Sequence, residues 1–208
     1  MMKCLFSRHA RLTGAAIACL GYAVMSGAPA HAALISTDAC DNATLTQPFA
    51  HWGDRSEYKL VPGGTFESGA PGWTLTGGAS VVSGSEPYGV TGSVGSYSLN
   101  LPAGASAMSP FTCVDAAYPS FRFFGRNDGL LSIMAVSVVY RTPLGIELTV
   151  PVGVTALSGR WEPTLPMLTA SFVTGALSGG TTQVALKFTA LTGHSQIDDV
   201  FVDPRFRW

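Results

Sequence analysis

The chain has 208 residues, of which 47% are hydrophobic and 12% charged, with 24 glycines and 13 prolines. Twelve basic and 13 acidic residues leave a formal net charge of −1, which excludes a protein that holds nucleic acid by positive charge. The apolar content is high enough to offset the entropy of ordering, so a disordered chain is excluded as well.

The first 32 residues have the pattern of a secretory signal peptide. Basic residues come first, an uncharged segment over residues 12–25 follows, and Ala30-His31-Ala32 supplies the small residues that a signal peptidase reads. A membrane anchor is the alternative, but the run is short for a span of about 20 residues and ends at Pro29. We therefore expect cleavage after Ala32 and a secreted protein, extracellular or periplasmic, without membrane insertion.

Short runs bounded by glycine, proline and serine predict strands through the rest of the chain. We expect residues 33–57 to be an N-terminal extension and residues 58–208 to be one β domain. Asn127-Asp128-Gly129 predicts a hairpin turn, and the alternation over residues 184–190 predicts a half-buried antiparallel strand. The predicted strands are 58–61, 73–76, 79–82, 97–101, 121–124, 130–140, 146–152, 172–174, 184–190 and 197–202.

Many short strands without crossover helices predict an all-β fold. An antiparallel β-sandwich of the jelly-roll type fits this pattern, because a parallel sheet would need helices between its strands. Phe66 and Trp73, two large apolar residues among glycines, are expected to be core anchors.

Two cysteines remain after the expected cleavage, Cys40 and Cys113. In an oxidising compartment they have one intramolecular pairing, so a Cys40–Cys113 disulfide that ties the N-terminal extension to the sandwich is expected. Two free buried thiols are the alternative. A metal site is disfavoured, because no histidines lie near either cysteine.

Two motifs stand at opposite ends of the predicted sandwich. Gly63-Gly64-Thr65-Phe66-Glu67-Ser68-Gly69, with Gly72-Trp73 just after, opens it, and Gln196-Ile197-Asp198-Asp199-Val200-Phe201-Val202 closes it. This pairing resembles the galactose-binding-like jelly rolls, particularly carbohydrate-binding modules of the family 4/9 type, although Gly63 replaces the usual asparagine. The mature chain also resembles an uncharacterised family of small secreted bacterial proteins.

The resemblance implies a secreted, non-catalytic protein that binds carbohydrate at or near the cell envelope. The alternative is an extracellular structural or protein-interaction module that uses the same sandwich as a scaffold. The chain has no His-Glu-x-x-His element, no Gly-x-Ser-x-Gly elbow and no phosphate-binding loop. We therefore expect no catalytic residues.

Acidic side chains in both motifs are candidate metal ligands. Glu67 follows the opening glycine turn, and Asp198 and Asp199 lie on the closing strand. If the first and last strands are neighbours, these carboxylates can converge with backbone carbonyls, and such hard oxygen ligands suit calcium. The resembling modules carry a structural calcium here. The alternative is that the carboxylates accept hydrogen bonds from loop amides without a metal.

Four further residues are candidates for binding a sugar. Sugar-binding proteins stack exposed aromatic rings on the sugar and fix its hydroxyls with polar side chains. Trp161 and Tyr88 lie in segments with turn signals. Each either serves as a stacking ring or is a loop residue folded onto the edge of the sheet. Arg122 and Arg126 lie on the face of their strand that is opposite its alternating phenylalanines. They either line a groove or cover the sheet with salt bridges.

Overall fold

Two antiparallel sheets are formed by thirteen strands in the part of the chain that the structure describes. The structure, a computed structural model, describes residues 43–115, 119–129, 131–142, 144–168 and 181–204. The first sheet contains β1 (Lys59–Leu60), β3 (Ser80–Ser83), β4 (Tyr97–Leu101), β7 (Ser120–Asn127), β10 (Glu162–Pro163), β11 (Met167–Leu168) and β13 (Ser195–Asp203). The second sheet contains β2 (Thr74–Thr76), β5 (Ser106–Met108), β6 (Thr112–Asp115), β8 (Ser132–Arg141), β9 (Glu147–Leu157) and β12 (Thr181–Thr192).

The strand order places β13, the longest strand of the first sheet, and β12, the longest of the second, inside their sheets. In the first sheet the order is β10-β7-β13-β4-β3, with β1 also paired to β13 and β11 to β7. In the second it is β2-β5-β12-β8-β9, with β6 also paired to β12. The all-β, two-sheet architecture predicted from the sequence is therefore confirmed.

Apolar residues from the inner faces of both sheets form the core between them. The alternation predicted for residues 184–190 is confirmed, because Val184, Leu186 and Phe188 are all buried there. Phe66 and Trp73 are core residues as expected, with ring centroids 5.0 Å apart. The indole N–H of Trp73 donates to the Pro62 carbonyl at 3.0 Å, so the ring is buried without an unpaired donor.

The opening motif lies beside the closing strand. Val61 N–H donates to Val200 O at 2.9 Å, and Val200 N–H donates to Gly64 O at 3.1 Å. A Cβ at Gly64 would lie 2.9 Å from the Val61 oxygen and 3.0 Å from the Val200 oxygen, so only glycine permits this approach. The expectation that the first and last strands are neighbours is therefore confirmed.

The hairpin predicted at Asn127-Asp128-Gly129 is wrong. The strands on either side of it, β7 and β8, belong to different sheets. Asn127 is paired with Ser195 of β13, and Asp128 N–H donates to His194 O at 3.0 Å. The turn signal predicts that the chain reverses direction, but it does not predict which sheet the next strand joins.

Several strands differ from the prediction in length or were missed. β9 continues to Leu157, five residues beyond its predicted end, and β5, β6, β10 and β11 were not predicted. Three of the four missed strands have only two or three residues, too few to show an alternating apolar pattern. The strand predicted at 172–174 lies outside the described residues.

The segment that precedes β1 packs on the outer face of the first sheet. Thr46 and Tyr58 exchange backbone hydrogen bonds of 2.8 Å. Phe49 is buried beneath Arg122, whose guanidinium carbon lies 4.2 Å from the ring centroid. Arg122 also donates to Asp54 at 2.7 Å, which fastens this segment to β7.

Some expectations for the N-terminal part of the chain stay predictions. Residues 1–32 and Cys40 lie outside the described residues, and Cys113 is a buried residue of β6. The structure therefore does not test the signal peptide or the Cys40–Cys113 disulfide. It also does not test the boundary between the expected extension, residues 33–57, and the β domain, residues 58–208. Among the described residues no helix is long and apolar enough to cross a membrane.

Candidate functional site

A second aromatic cluster lies on the outer face of the first sheet, separate from the core between the sheets. Tyr88 stands at its edge, with 46% of its surface exposed. Its ring centroid lies 4.9 Å from that of Trp52 and 5.6 Å from that of Phe124. Its hydroxyl donates to Trp161 O at 3.0 Å, so the ring is held in place while much of it remains open to solvent. The buried members of the cluster are Phe49, Tyr58, Phe124, Trp161 and Phe201.

The loop that carries Tyr88 is organised around the buried carboxylate of Glu86. This carboxylate accepts the backbone N–H groups of Tyr88 at 2.5 Å and Gly89 at 2.7 Å. Asp198 on β13 in turn accepts the Ser85 hydroxyl at 2.7 Å and the Glu86 N–H at 3.0 Å. Two buried carboxylates therefore attach the Tyr88 loop to the closing strand.

Carboxylates that lie close together in a buried place resist ionisation. Burial raises the pKa of Asp198 to about 7, although the hydrogen bonds from Glu86 N–H and the Ser85 hydroxyl act in the opposite direction. Burial also raises the pKa of Asp199, and the negative charges of the neighbouring Asp198 and Glu86 raise it further. The cluster therefore favours a proton or a cation at neutral pH.

A bulge in β13 directs Asp199 out of the regular ladder. The register with β7 shifts between Asp198 and Phe201, and Asp199 has a φ of 45°. Aspartate tolerates this left-handed conformation better than most residues. The bulge thus lets the two adjacent aspartates take part in one acidic cluster instead of pointing to opposite faces of the strand.

Four polar side chains form a row beside the Tyr88 loop. Ser80, Asn100, Gln196 and Arg126 are register partners on β3, β4, β13 and β7. Since neighbouring strands lie about 4.8 Å apart, the row spans about 14 Å. Within the described parts of the chain, their side chains make one hydrogen bond, from Arg126 Nε to Gln196 Oε1 at 2.7 Å. The row, which we call the polar row, thus offers unused donors and acceptors.

The structure brings together three of the four residues predicted to bind a sugar. Tyr88 contacts Trp161 through its hydroxyl, and the Arg126 guanidinium lies 5.1 Å from the Trp161 ring centroid. Trp161 itself is only 8% exposed, so it supports the site and does not present a free ring for stacking. The exposed ring at this place belongs to Tyr88.

Arg122 lies apart from the other three. It is 4% exposed and donates to Asp54 through Nη1 and to the Thr164 carbonyl through Nε, at 2.7 Å and 2.6 Å. Burial acts to raise the pKa of Asp54, but hydrogen bonds from Ser56, Tyr58 and Arg122 outweigh it and lower the pKa. Arg122 therefore covers the sheet through a salt bridge and does not line an open groove.

The predicted metal ligands lie at one end of the acidic cluster. Glu67 is close enough for its charge to raise the pKa of Asp199, and its Oε1 accepts the N–H groups of Ser96 and Tyr97 at 2.8 Å and 2.9 Å. No group of three or more His, Cys, Asp or Glu side chains in the described ranges is placed to hold a metal ion. These contacts correspond to the alternative in which the carboxylates accept loop amides.

Sequence reasoning missed Glu86. The aromatic residue two positions later, Tyr88, carries the more familiar signal for sugar binding. A single acidic residue inside a loop of serine, glycine and proline, followed two residues later by tyrosine, is the signal that could have found it. An acidic side chain there can accept the N–H groups that a tight turn leaves unpaired.

No protein-family model and no curated protein matches the chain. Among solved structures, the CBM22-1 and GH10 modules of Clostridium thermocellum endo-1,4-β-D-xylanase 10B in complex with xylohexaose are 16% identical, with a TM-score of 0.50 and coverage of 67% of this chain and 27% of that chain. The CBM22-1 xylan-binding domain of Paenibacillus barcinonensis Xyn10C is 14% identical, with a TM-score of 0.46, and the match covers 69% of this chain and 93% of that chain. TmCBM61 in complex with β-1,4-galactotriose is 17% identical, with a TM-score of 0.42, and the match covers 72% of this chain and 98% of that chain.

The likeness to the xylanase modules shows the fold. The chain has a β-sandwich of the kind found in carbohydrate-binding modules, and it spans about a quarter of the length of that xylanase structure. The modules named above are of families 22 and 61, so the finer resemblance to the family 4/9 type stays a prediction.

The acidic cluster predicts how stability depends on pH in protein stripped of metal ions. The folded state keeps protons on Asp198 and Asp199 that the unfolded chain releases near pH 4, so the free energy of unfolding falls as pH rises from about 4 to 8. Asp199→Asn should flatten this fall, whereas Asp128→Asn, a change at an exposed turn residue, should not. Thermal unfolding followed by circular dichroism measures the effect, and equal slopes in the two variants would contradict it.

Proposed function

We propose that the protein is a secreted, non-catalytic carbohydrate-binding module that acts at or near the cell envelope. The observation that carries the proposal is the half-exposed Tyr88 ring held beside the polar row. An aromatic face and a set of unused amide, hydroxyl and guanidinium groups are the two elements that recognise a sugar ring.

The ring is positioned before any ligand arrives. Glu86 fixes the backbone of the Tyr88 loop, Trp52 packs edge-on against the ring, and the hydroxyl is bonded to Trp161 O. A side chain that is already ordered loses little conformational entropy on binding. This arrangement therefore supports binding by Tyr88 even though a single ring offers a small contact area.

The polar row supports an extended ligand. Its span of about 14 Å across four strands is long enough to contact more than one sugar unit of an oligosaccharide. Because the similar xylanase modules are described in complex with xylohexaose, xylohexaose is the first ligand to test on this chain.

The stacking role of Tyr88 can be separated from a general aromatic effect. Tyr88→Ala should weaken binding of xylohexaose more than tenfold, since an aromatic residue at the centre of an interface is worth about 2 kcal/mol, while Tyr88→Phe should keep most of the affinity. Tyr97→Ala is the matched control, because Tyr97 is similarly exposed, at 43%. Successive side chains of a strand point to opposite faces, and Ser98 lies on the outer face, so Tyr97 does not. Isothermal titration calorimetry gives the affinities. Equal losses in the Tyr88→Ala and Tyr97→Ala variants, or no binding to any glycan on an array, would refute the proposal.

We also propose that the acidic cluster holds a structural calcium ion. What supports this is charge: Glu86, Asp198 and Asp199 are buried, and no lysine or arginine in the described ranges forms a salt bridge with them. The donors are hard carboxylate oxygens, which calcium prefers. Glu67, Asp198 and Asp199 would hold the ion together with backbone carbonyls, and they would have to move closer together to do so, because no three such side chains in the described ranges are already placed around one point.

Removal of calcium tests this second proposal. A ligand at a thousand times its Kd stabilises the folded state by about 4 kcal/mol, so a chelator should lower the Tm of the protein in millimolar calcium by several degrees. Asp199→Asn should lower the Tm in the same way and make it insensitive to the chelator. If the chelator leaves the wild-type Tm unchanged, the carboxylates hold only hydrogen bonds and protons.

A further inference from the structure

Arg126 differs from two other arginines of the sandwich, Arg122 on the same strand and Arg141 on β8 of the second sheet, because each of those forms a salt bridge. Arg122 is paired with Asp54, and Arg141 is paired with Glu147 at 2.7 Å. Arg126 is half-buried, but no carboxylate in the described ranges lies within salt-bridge distance of it. Glu162 on the adjacent strand β10 accepts the Ser158 hydroxyl instead.

The guanidinium of Arg126 is fixed in orientation. It lies over the Trp161 ring, with 5.1 Å between its carbon and the ring centroid, and its Nε donates to Gln196 Oε1 at 2.7 Å. These two contacts use one face and one nitrogen of the group. The terminal nitrogens, Nη1 and Nη2, have no hydrogen-bond partner among the residues that the structure describes.

Gln196 adds a further donor next to this guanidinium. Because an arginine Nε–H can only donate, Gln196 presents its oxygen to Arg126, and its amide nitrogen has no partner in the described part of the chain. This end of the polar row therefore combines a positive charge with several free donors. A ligand group that supplies two acceptor oxygens and a negative charge would satisfy them together.

We propose that the site prefers a glycan that carries a carboxylate, that is, one with a uronic acid residue, and that Arg126 binds this carboxylate. The inference rests on the proposed carbohydrate-binding function and deepens it. A guanidinium whose orientation is already set pairs with a carboxylate through two parallel hydrogen bonds. A neutral hydroxyl leaves the charge of Arg126 without a partner, so the acidic sugar gains affinity over its neutral counterpart.

A pair of matched ligands tests the inference by calorimetry. One is a xylo-oligosaccharide with a glucuronic acid branch, and the other is the same oligosaccharide after its carboxyl group has been reduced to an alcohol. We expect the acidic form to bind at least tenfold more tightly at low salt, and we expect the ratio to fall as salt is added. Equal affinities would overturn the inference and leave the proposed function standing, whereas absence of binding by both ligands and by every glycan on an array would overturn both.

Substitutions of arginine then assign the preference to Arg126. Arg126→Gln should bring the affinity ratio of the two ligands close to one. Arg126→Lys keeps the positive charge but loses the planar guanidinium that donates two parallel hydrogen bonds, so it should leave an intermediate ratio. Arg160→Gln is the control for general positive charge, because Arg160 is an exposed neighbour of Trp161. An equal loss of the ratio in the Arg160→Gln variant, or an unchanged ratio in Arg126→Gln, contradicts the assignment. Tighter binding of a sulfated oligosaccharide than of the glucuronic acid form overturns the choice of a carboxylate.

Discussion

The carboxylate of Asp198 is the contact on which the candidate site depends. It lies buried on the closing strand and accepts the Ser85 hydroxyl and the Glu86 N–H, so it holds a loop that is more than a hundred residues away in sequence. Glu86 then fixes the Tyr88 backbone. Because a buried polar group is costly without such partners, the hydrogen bonds and the site form together. Loss of the carboxylate would release the loop as well as leave its donors unpaired.

The same outer face is shaped by two arginines with different roles. Arg122 joins the segment before β1 to β7 through Asp54, and this places Trp52 where it supports Tyr88. Arg126, four residues along the same strand, lies over Trp161 and forms one end of the polar row. On this face of β7, Arg122 therefore helps to cover one part of the aromatic cluster, whereas the part beside Arg126 remains accessible. That division leaves the candidate site open on a surface whose aromatic residues are otherwise buried.

The sequence predicted the fold better than it predicted the site. The strands at 97–101 and 184–190 could be predicted because their apolar residues alternate and pack in the core between the sheets. The hairpin at residues 127–129 failed because local turn chemistry does not specify the sheet that the next strand joins. Tyr88 and Arg126 are residue types suited to sugars and could be predicted, but the burial of Trp161 and the attachment of the Tyr88 loop to Asp198 arise from packing between segments that are distant in the sequence. No local pattern of the sequence contains that information.

We propose that a glycan binds on the outer face of the first sheet, beside the loop that Asp198 and Glu86 hold. Titration of 15N-labelled protein with xylohexaose, followed by two-dimensional NMR, locates the bound ligand. We expect the shift changes to concentrate in the amides of residues 86–90 and in the side-chain amides of Asn100 and Gln196. Changes confined to β8, β9 and β12 of the second sheet would contradict it, because they would place the ligand on the opposite side of the sandwich.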